Sequence, residues 1–151
     1  MVGWSFGGAP AFTVGEDDRI VGCATVASQT AETEGIENVG RKGVPLLLLH
    51  GTGDRTPSPR FSHNLYHAYG HAMREDKREI KFFEGDDHAL TRNSLEAEEL
   101  LCEFITRCAS VGIGHDEHIN VIQKQLVDEE DRIEKMKQDG DLRGKENVEQ
   151  I

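Results

Sequence analysis

Apolar and polar positions come in blocks along the first 111 residues, and each apolar block closes on a glycine-rich or acidic turn. Arg19–Ser28 (RIVGCATVAS) follows an acidic turn and predicts a strand buried on both faces. Val44–His50 (VPLLLLH) is the clearest block: six consecutive apolar residues, with Pro45 near the start and Gly51 behind. A run this short, bounded by proline and glycine, predicts a strand rather than a helix. Glu79–Glu84 (EIKFFE) predicts a third, shorter strand. Between the last two strands, Phe61, Leu65, Ala68 and Tyr69 share one face of a helix over Pro59–His71. Ser58 is placed there as N-cap, with Pro59 in the first turn. After the third strand, Ala97, Leu100, Leu101, Phe104, Ile105 and Cys108 recur at helical spacing, and Asn93 and Glu96 are spaced as a capping box. Strands alternating with helices predict parallel βαβ units, and so an α/β fold.

The pattern ends at Val111. From Gly112 onward the chain carries 11 acidic and 6 basic residues and no aromatic residue. That shift predicts a packed domain over 1–111 and an acidic, helical or disordered tail over 112–151. In the tail, Ile119, Ile122, Leu126, Ile133 and Met136 are spaced by three or four, with Glu129 interrupting one slot. This is under three heptads and predicts an amphipathic helix rather than a coiled coil. Segment 112–140 is the candidate surface for a protein contact, and disorder is expected from Gly140 on.

Charge narrows the partners. Seventeen basic against 28 acidic residues give a net charge of −11, which repels phosphate backbones and anionic lipid. Nucleic-acid binding and a polybasic membrane anchor are therefore not expected. No apolar run approaches the roughly 20 residues of a membrane span. No apolar segment of signal-peptide type follows Met1. Three cysteines (Cys23, Cys102, Cys108) form no CxxC pair and leave one over, which suits a reducing compartment. A cytoplasmic location is the expectation.

Chemistry begins near the first residue. Gly3-Trp4-Ser5-Phe6-Gly7 fits G-x-S-x-G, followed by Gly8 and Ala9. A serine on a sharp strand-to-helix turn has strained dihedrals, and side chains two positions away would clash, so glycines are required. Such a turn lifts the Ser5 hydroxyl above the sheet edge and aims the Phe6 backbone N–H at an incoming carbonyl. In a chain with 16 glycines the motif alone is weak. Two further segments strengthen it. Gly51-Thr52-Gly53-Asp54 puts a carboxylate in the loop after the strongest strand, and Gly85-Asp86-Asp87-His88 puts an imidazole after the third. In a parallel sheet these ends face one way, so Ser5, Asp54 and His88 can converge. Serine needs an imidazole to take its proton, and the imidazole needs a carboxylate to fix its tautomer. The order Ser…Asp…His is the one expected of an α/β-hydrolase.

Residues 3–108 resemble the C-terminal half of an α/β-hydrolase fold protein. GWSFGGA resembles the nucleophile elbow, LLLLHGTGD the acid-bearing strand and loop, and EGDDHAL the histidine loop before the last helix. The short stretch between elbow and acid strand resembles members with little or no lid, such as dienelactone hydrolase-like and small carboxylesterase proteins. Dienelactone hydrolases proper carry cysteine where Ser5 stands, so the resemblance implies the esterase side. It also implies a partial domain: about three strands at one sheet edge with a stub of the nucleophile strand, and without the loop that usually gives a second oxyanion donor. The outer side of the Arg19–Ser28 strand is then expected to be an unpaired edge. The activity implied is a serine acyl hydrolase, or a truncated form of one, acting on a small-molecule ester or other acyl substrate. The alternative is a non-catalytic relative that serves as a binding or interaction module. An acidic interaction protein with a chance motif would not explain the three residues in order.

Other residues have plainer explanations. His63, His67 and His71 share a helix face opposite Phe61/Leu65/Tyr69, where solvation rather than metal binding is expected. His50 is expected to be a packed strand-end histidine. Asp86 and Asp87 adjoin His88, and adjacent residues rarely reach the far ring nitrogen, so Asp54 is preferred as the acid. His115-Asp116-Glu117-His118 predicts a solvated helix start. Cys102 and Cys108 lie near or on the core face of the last helix and are not expected to be nucleophiles. Trp4 either borders the acyl pocket or packs on neighbouring loops. No motif calls for a cofactor or a metal.

Overall fold

A computed structural model describes residues 1–70 and 77–110. The elements run β1 (Val2–Trp4), a 3-10 turn (Ser5–Gly7), α1 (Gly8–Gly15), β2 (Cys23–Val26), α2 (Gly35–Lys42), β3 (Leu46–Gly51), α3 (Arg60–Ala68), β4 (Arg78–Phe83) and α4 (Ser94–Ala109). The four strands form one parallel sheet in the order β1-β2-β3-β4. The class is α/β.

The leucine run of β3 explains the layering. Successive side chains of a strand point to opposite faces, so a strand covered on both sides is apolar at every position. Leu46 and Leu48 pack with Phe12, Ile36, Val39, Leu65 and Tyr69 beneath α1, α2 and α3. Leu47 and Leu49 pack with Ala24, Val26, Phe83, Ala97 and Phe104 beneath α4. One register row, Trp4–Val26–Leu49–Lys81, crosses all four strands. Every loop that follows this row leaves the sheet at its C-terminal edge, where α/β folds place their chemistry.

Several details differ from the sequence expectations. β2 covers only Cys23–Val26, because Arg19, Val21 and their neighbours are outside the ladder and Val21 is exposed. Its outer side is not an open edge: Val2, Gly3 and Trp4 pair with Ala24, Thr25 and Val26, so the edge strand is β1. The capping box before α4 does not form. The Asn93 amide donates to Asp86 instead, and Glu96 pairs with Lys81 at 2.6 Å. Helix α3 starts at Arg60 with Pro59 at the cap position; Ser58 Oγ still accepts from the Arg60 N–H at 3.4 Å. Its inner face is Ser62, Leu65 and Tyr69, while Ala68 is exposed. On α4, Ile105 is exposed because the buried stripe runs through Ala97, Leu101, Phe104 and Cys108. Helix α2 lies where the apolar pattern predicts no element. His71, the His115–His118 cluster and the amphipathic pattern of the 112–151 segment lie outside the described residues. Among the described residues, no helix is long and apolar enough to cross a membrane.

Candidate active site

Ser5 follows directly on β1, and its backbone is left-handed, with φ of 52°. A β-carbon makes that region costly by about 1–2 kcal/mol, so something must hold the residue there. Close packing of the turn does so. A Cβ on Gly3 would lie 2.2 Å from the Gly7 carbonyl oxygen, and one on Gly8 would lie 1.9 Å from Ser28 Oγ. The strand end and the helix start can approach only if both positions are bare. Gly7, the second glycine of the G-x-S-x-G pattern, faces open space instead. The steric need therefore sits two positions before and three after the serine, not symmetrically around it. Ser5 is half-buried and Phe6 is exposed.

Asp54 leaves β3 on a turn closed by its own N–H donating to the Gly51 carbonyl at 3.2 Å. Its side chain is almost fully buried. Oδ1 accepts from the Thr56 N–H at 2.8 Å, and Oδ2 accepts from His88 Nδ1–H at 2.7 Å. Because a carboxylate can only accept, that contact assigns the His88 proton to Nδ1 and leaves Nε2 with a lone pair. His88 is partly open to solvent, and its ring lies 6.4 Å from that of Trp4, centroid to centroid, across the sheet edge. Among the described residues, neither the Ser5 hydroxyl nor His88 Nε2 has a hydrogen-bond partner. The structure thus brings Asp54 and His88 into contact, and places Ser5 at the end of β1 next to Trp4, which faces that histidine.

The loops that carry the acid and the histidine are tied together. Thr52 N–H donates to Phe83 O at 2.9 Å, Gly53 N–H to Asp86 O at 2.8 Å, and Gly85 N–H to Thr52 Oγ1 at 2.7 Å. Asp86 is buried and organises the histidine loop: it accepts from the Asn93 amide and from the backbone N–H groups of Asp87, Arg92 and Asn93. Burial pushes its carboxyl up, but these donors outweigh burial and hold it below the ordinary carboxylate range. Asp87 is likewise held low, chiefly by the Thr91 backbone N–H and hydroxyl.

His50 is fully buried under Asp54, a contact that sequence spacing hid. Its Nδ1 lies 2.6 Å from Ser62 Oγ, its Nε2 3.2 Å from the Pro57 carbonyl and 3.3 Å from Asp54 Oδ2. Desolvation holds it below the ordinary histidine range, so it is neutral. His63 and His67 sit exposed on α3 with rings 4.5 Å apart. Among the described residues, no group of three or more His, Cys, Asp or Glu is arranged to hold a metal ion. Cys23 is buried, and burial pushes its thiol up, as it does for the half-buried Cys102 and Cys108.

No family model and no curated protein sequence matches the chain. Among solved structures it is similar to the crystal structure of TT1662 from Thermus thermophilus, at 21% identity and a TM-score of 0.49. The match covers 59% of this chain and 46% of that one, so the chain spans about half the length of that protein.

Proposed function

We propose that this chain carries the catalytic face of a serine acyl hydrolase, with Ser5 as nucleophile, His88 as general base and Asp54 as the acid that orients it. The observation that supports this most is the 2.7 Å Asp54–His88 contact at the sheet edge that also bears a left-handed serine. Ser5 Oγ attacks the carbonyl carbon of an ester or related acyl group, and its proton passes to His88 Nε2. The tetrahedral oxyanion is met by the Phe6 backbone N–H at the start of the turn leading into α1. Collapse breaks the bond to the leaving group, which takes the proton from Nε2. Water then enters by the same route and releases the acid. Asp54 keeps the imidazole in the Nδ1–H tautomer and steadies the imidazolium that forms.

The test is covalent labelling of the purified chain with a fluorophosphonate, alongside hydrolysis of p-nitrophenyl acetate. Labelling should map to Ser5, and Ser5→Ala should lower turnover by roughly 10³-fold or more. A chain that binds acyl compounds but is never labelled at Ser5 would favour the non-catalytic binding module over the hydrolase.

A further inference from the structure

The geometry points to His50 as a positioning residue for Asp54: a neutral imidazole, locked from behind by Ser62, that fixes the carboxylate so that Oδ2 faces His88. As a statement about catalysis this rests on the hydrolase reading; as a statement about the Asp54–His88 pair it stands without it.

The tautomer follows from the partners. Both groups near His50 Nε2, the Pro57 carbonyl oxygen and Asp54 Oδ2, can only accept, so the proton is on Nε2. Nδ1 then carries the lone pair and accepts from the Ser62 hydroxyl at 2.6 Å. Ser62 is itself fully buried on the inner face of α3, which makes it a rigid donor. The result is a buried file of four side chains, Ser62–His50–Asp54–His88, linking helix α3 to the open ring of His88. Its members come from α3, β3 and the loops that follow β3 and β4, and only the last is open to solvent. The titratable groups facing His50 are Asp54 and, beyond it, His88.

Neutrality is what makes the arrangement useful. A charged imidazolium 3.3 Å from Asp54 would compete with His88 for the same oxygen and neutralise the carboxylate that His88 needs. A neutral ring offers only an N–H dipole. It bonds the Pro57 carbonyl and sets the positive end of its N–H 3.3 Å from Oδ2, leaving the full carboxylate charge for His88. The core leucine that a simple packing role would call for lacks this dipole.

The experiment uses the full chain labelled with 15N-histidine. The wild type should show His50 as the Nε2–H tautomer at pH 8, and a low-field Nδ1–H proton for His88. His50→Leu should broaden or abolish that His88 signal and lower kcat roughly 10²-fold with KM unchanged. His50→Gln, whose amide can restore an N–H near the same point, should recover much of both. If His50→Leu fails to fold, Ser62→Ala serves instead: His50 should then show mixed tautomers and a weakened His88 signal. An Nδ1–H tautomer in the wild type would overturn the proposal. So would an undiminished His88 signal in folded His50→Leu, or in Ser62→Ala. Should the spectra behave as expected while the wild type never labels at Ser5, the positioning role stands and the hydrolase reading falls.

Discussion

The two sides of the candidate site are held by different physics. On the Asp–His side, Asp54 and Asp86 are buried and accept two and four N–H donors, and three further hydrogen bonds stitch the β3 and β4 loops together. On the serine side, Ser5 follows a three-residue edge strand whose Val2 and Trp4 are half-exposed, and no side-chain hydrogen bond fixes the serine among the described residues. What holds it is exclusion: the Gly7 carbonyl closes over Gly3 and the Ser28 side chain over Gly8, leaving no room for a Cβ at either position beside the left-handed Ser5. One half is built by attraction between polar groups, the other by steric exclusion at two bare positions. Different substitutions should therefore break each half.

The largest effect is expected on the attractive side. Asp54→Asn keeps the shape but lets the ring adopt the wrong tautomer, and ester turnover should drop by roughly 10⁴-fold while the fold persists. A variant within tenfold of the wild type would show that Asp54 is not the orienting acid. On the repulsive side, Gly3→Ala forces a Cβ against the Gly7 carbonyl. It should cost about 3 kcal/mol in denaturant unfolding and remove fluorophosphonate labelling together. Labelling retained at full rate would mean that the turn does not depend on its sterics.

Acidity separates the halves next. The folded state holds His50 below its ordinary value, so on acidification the unfolded chain takes up that proton first. The stability involved is complete above about pH 6.5 and is lost as pH falls from there toward the folded value. Asp86 and Asp87 are also held low, so their contribution is complete above about pH 4 and is lost below it. Both losses run the same way, and all three groups belong to the Asp–His side. Melting temperature should therefore fall in two stages as pH is lowered, and a flat profile from pH 7.5 to 5 would contradict a neutral, buried His50. The smallest effect concerns Gly7. Its conformation is ordinary right-handed helix and its Cβ direction is open. Gly7→Ala should leave the melt unchanged or raise stability by about 0.4–1 kcal/mol.

The legible parts of the molecule are those whose cause is local. The β3 strand could be read because burial on both faces makes every position from Leu46 to Leu49 apolar. The Ser5, Asp54 and His88 positions could be singled out because each follows a strand end, which is a property of nearby sequence. Helix α2 escaped notice because its only large buried side chains are Ile36 and Val39. Gly40, where a Cβ would meet the Tyr69 carbonyl oxygen at 1.8 Å, trades helix propensity for close approach to the end of α3. The role of His50 was equally hidden, since its partner Ser62 lies on the next helix and its own position looks like ordinary strand-end packing. Asp86 resembles a spare acid beside His88; all its donors but the Asp87 N–H arrive six and seven residues later, from the turn that starts α4.

Trp4 has an optical consequence. It is the only tryptophan in the chain, and its ring stands beside that of His88. Indole emission from this protein therefore originates at a single point on the rim of the candidate site. A molecule bound beside the indole would displace the water around a ring that is now 53% exposed. The protein thus contains a built-in fluorophore, and stopped-flow emission can follow occupancy of the site without any attached dye.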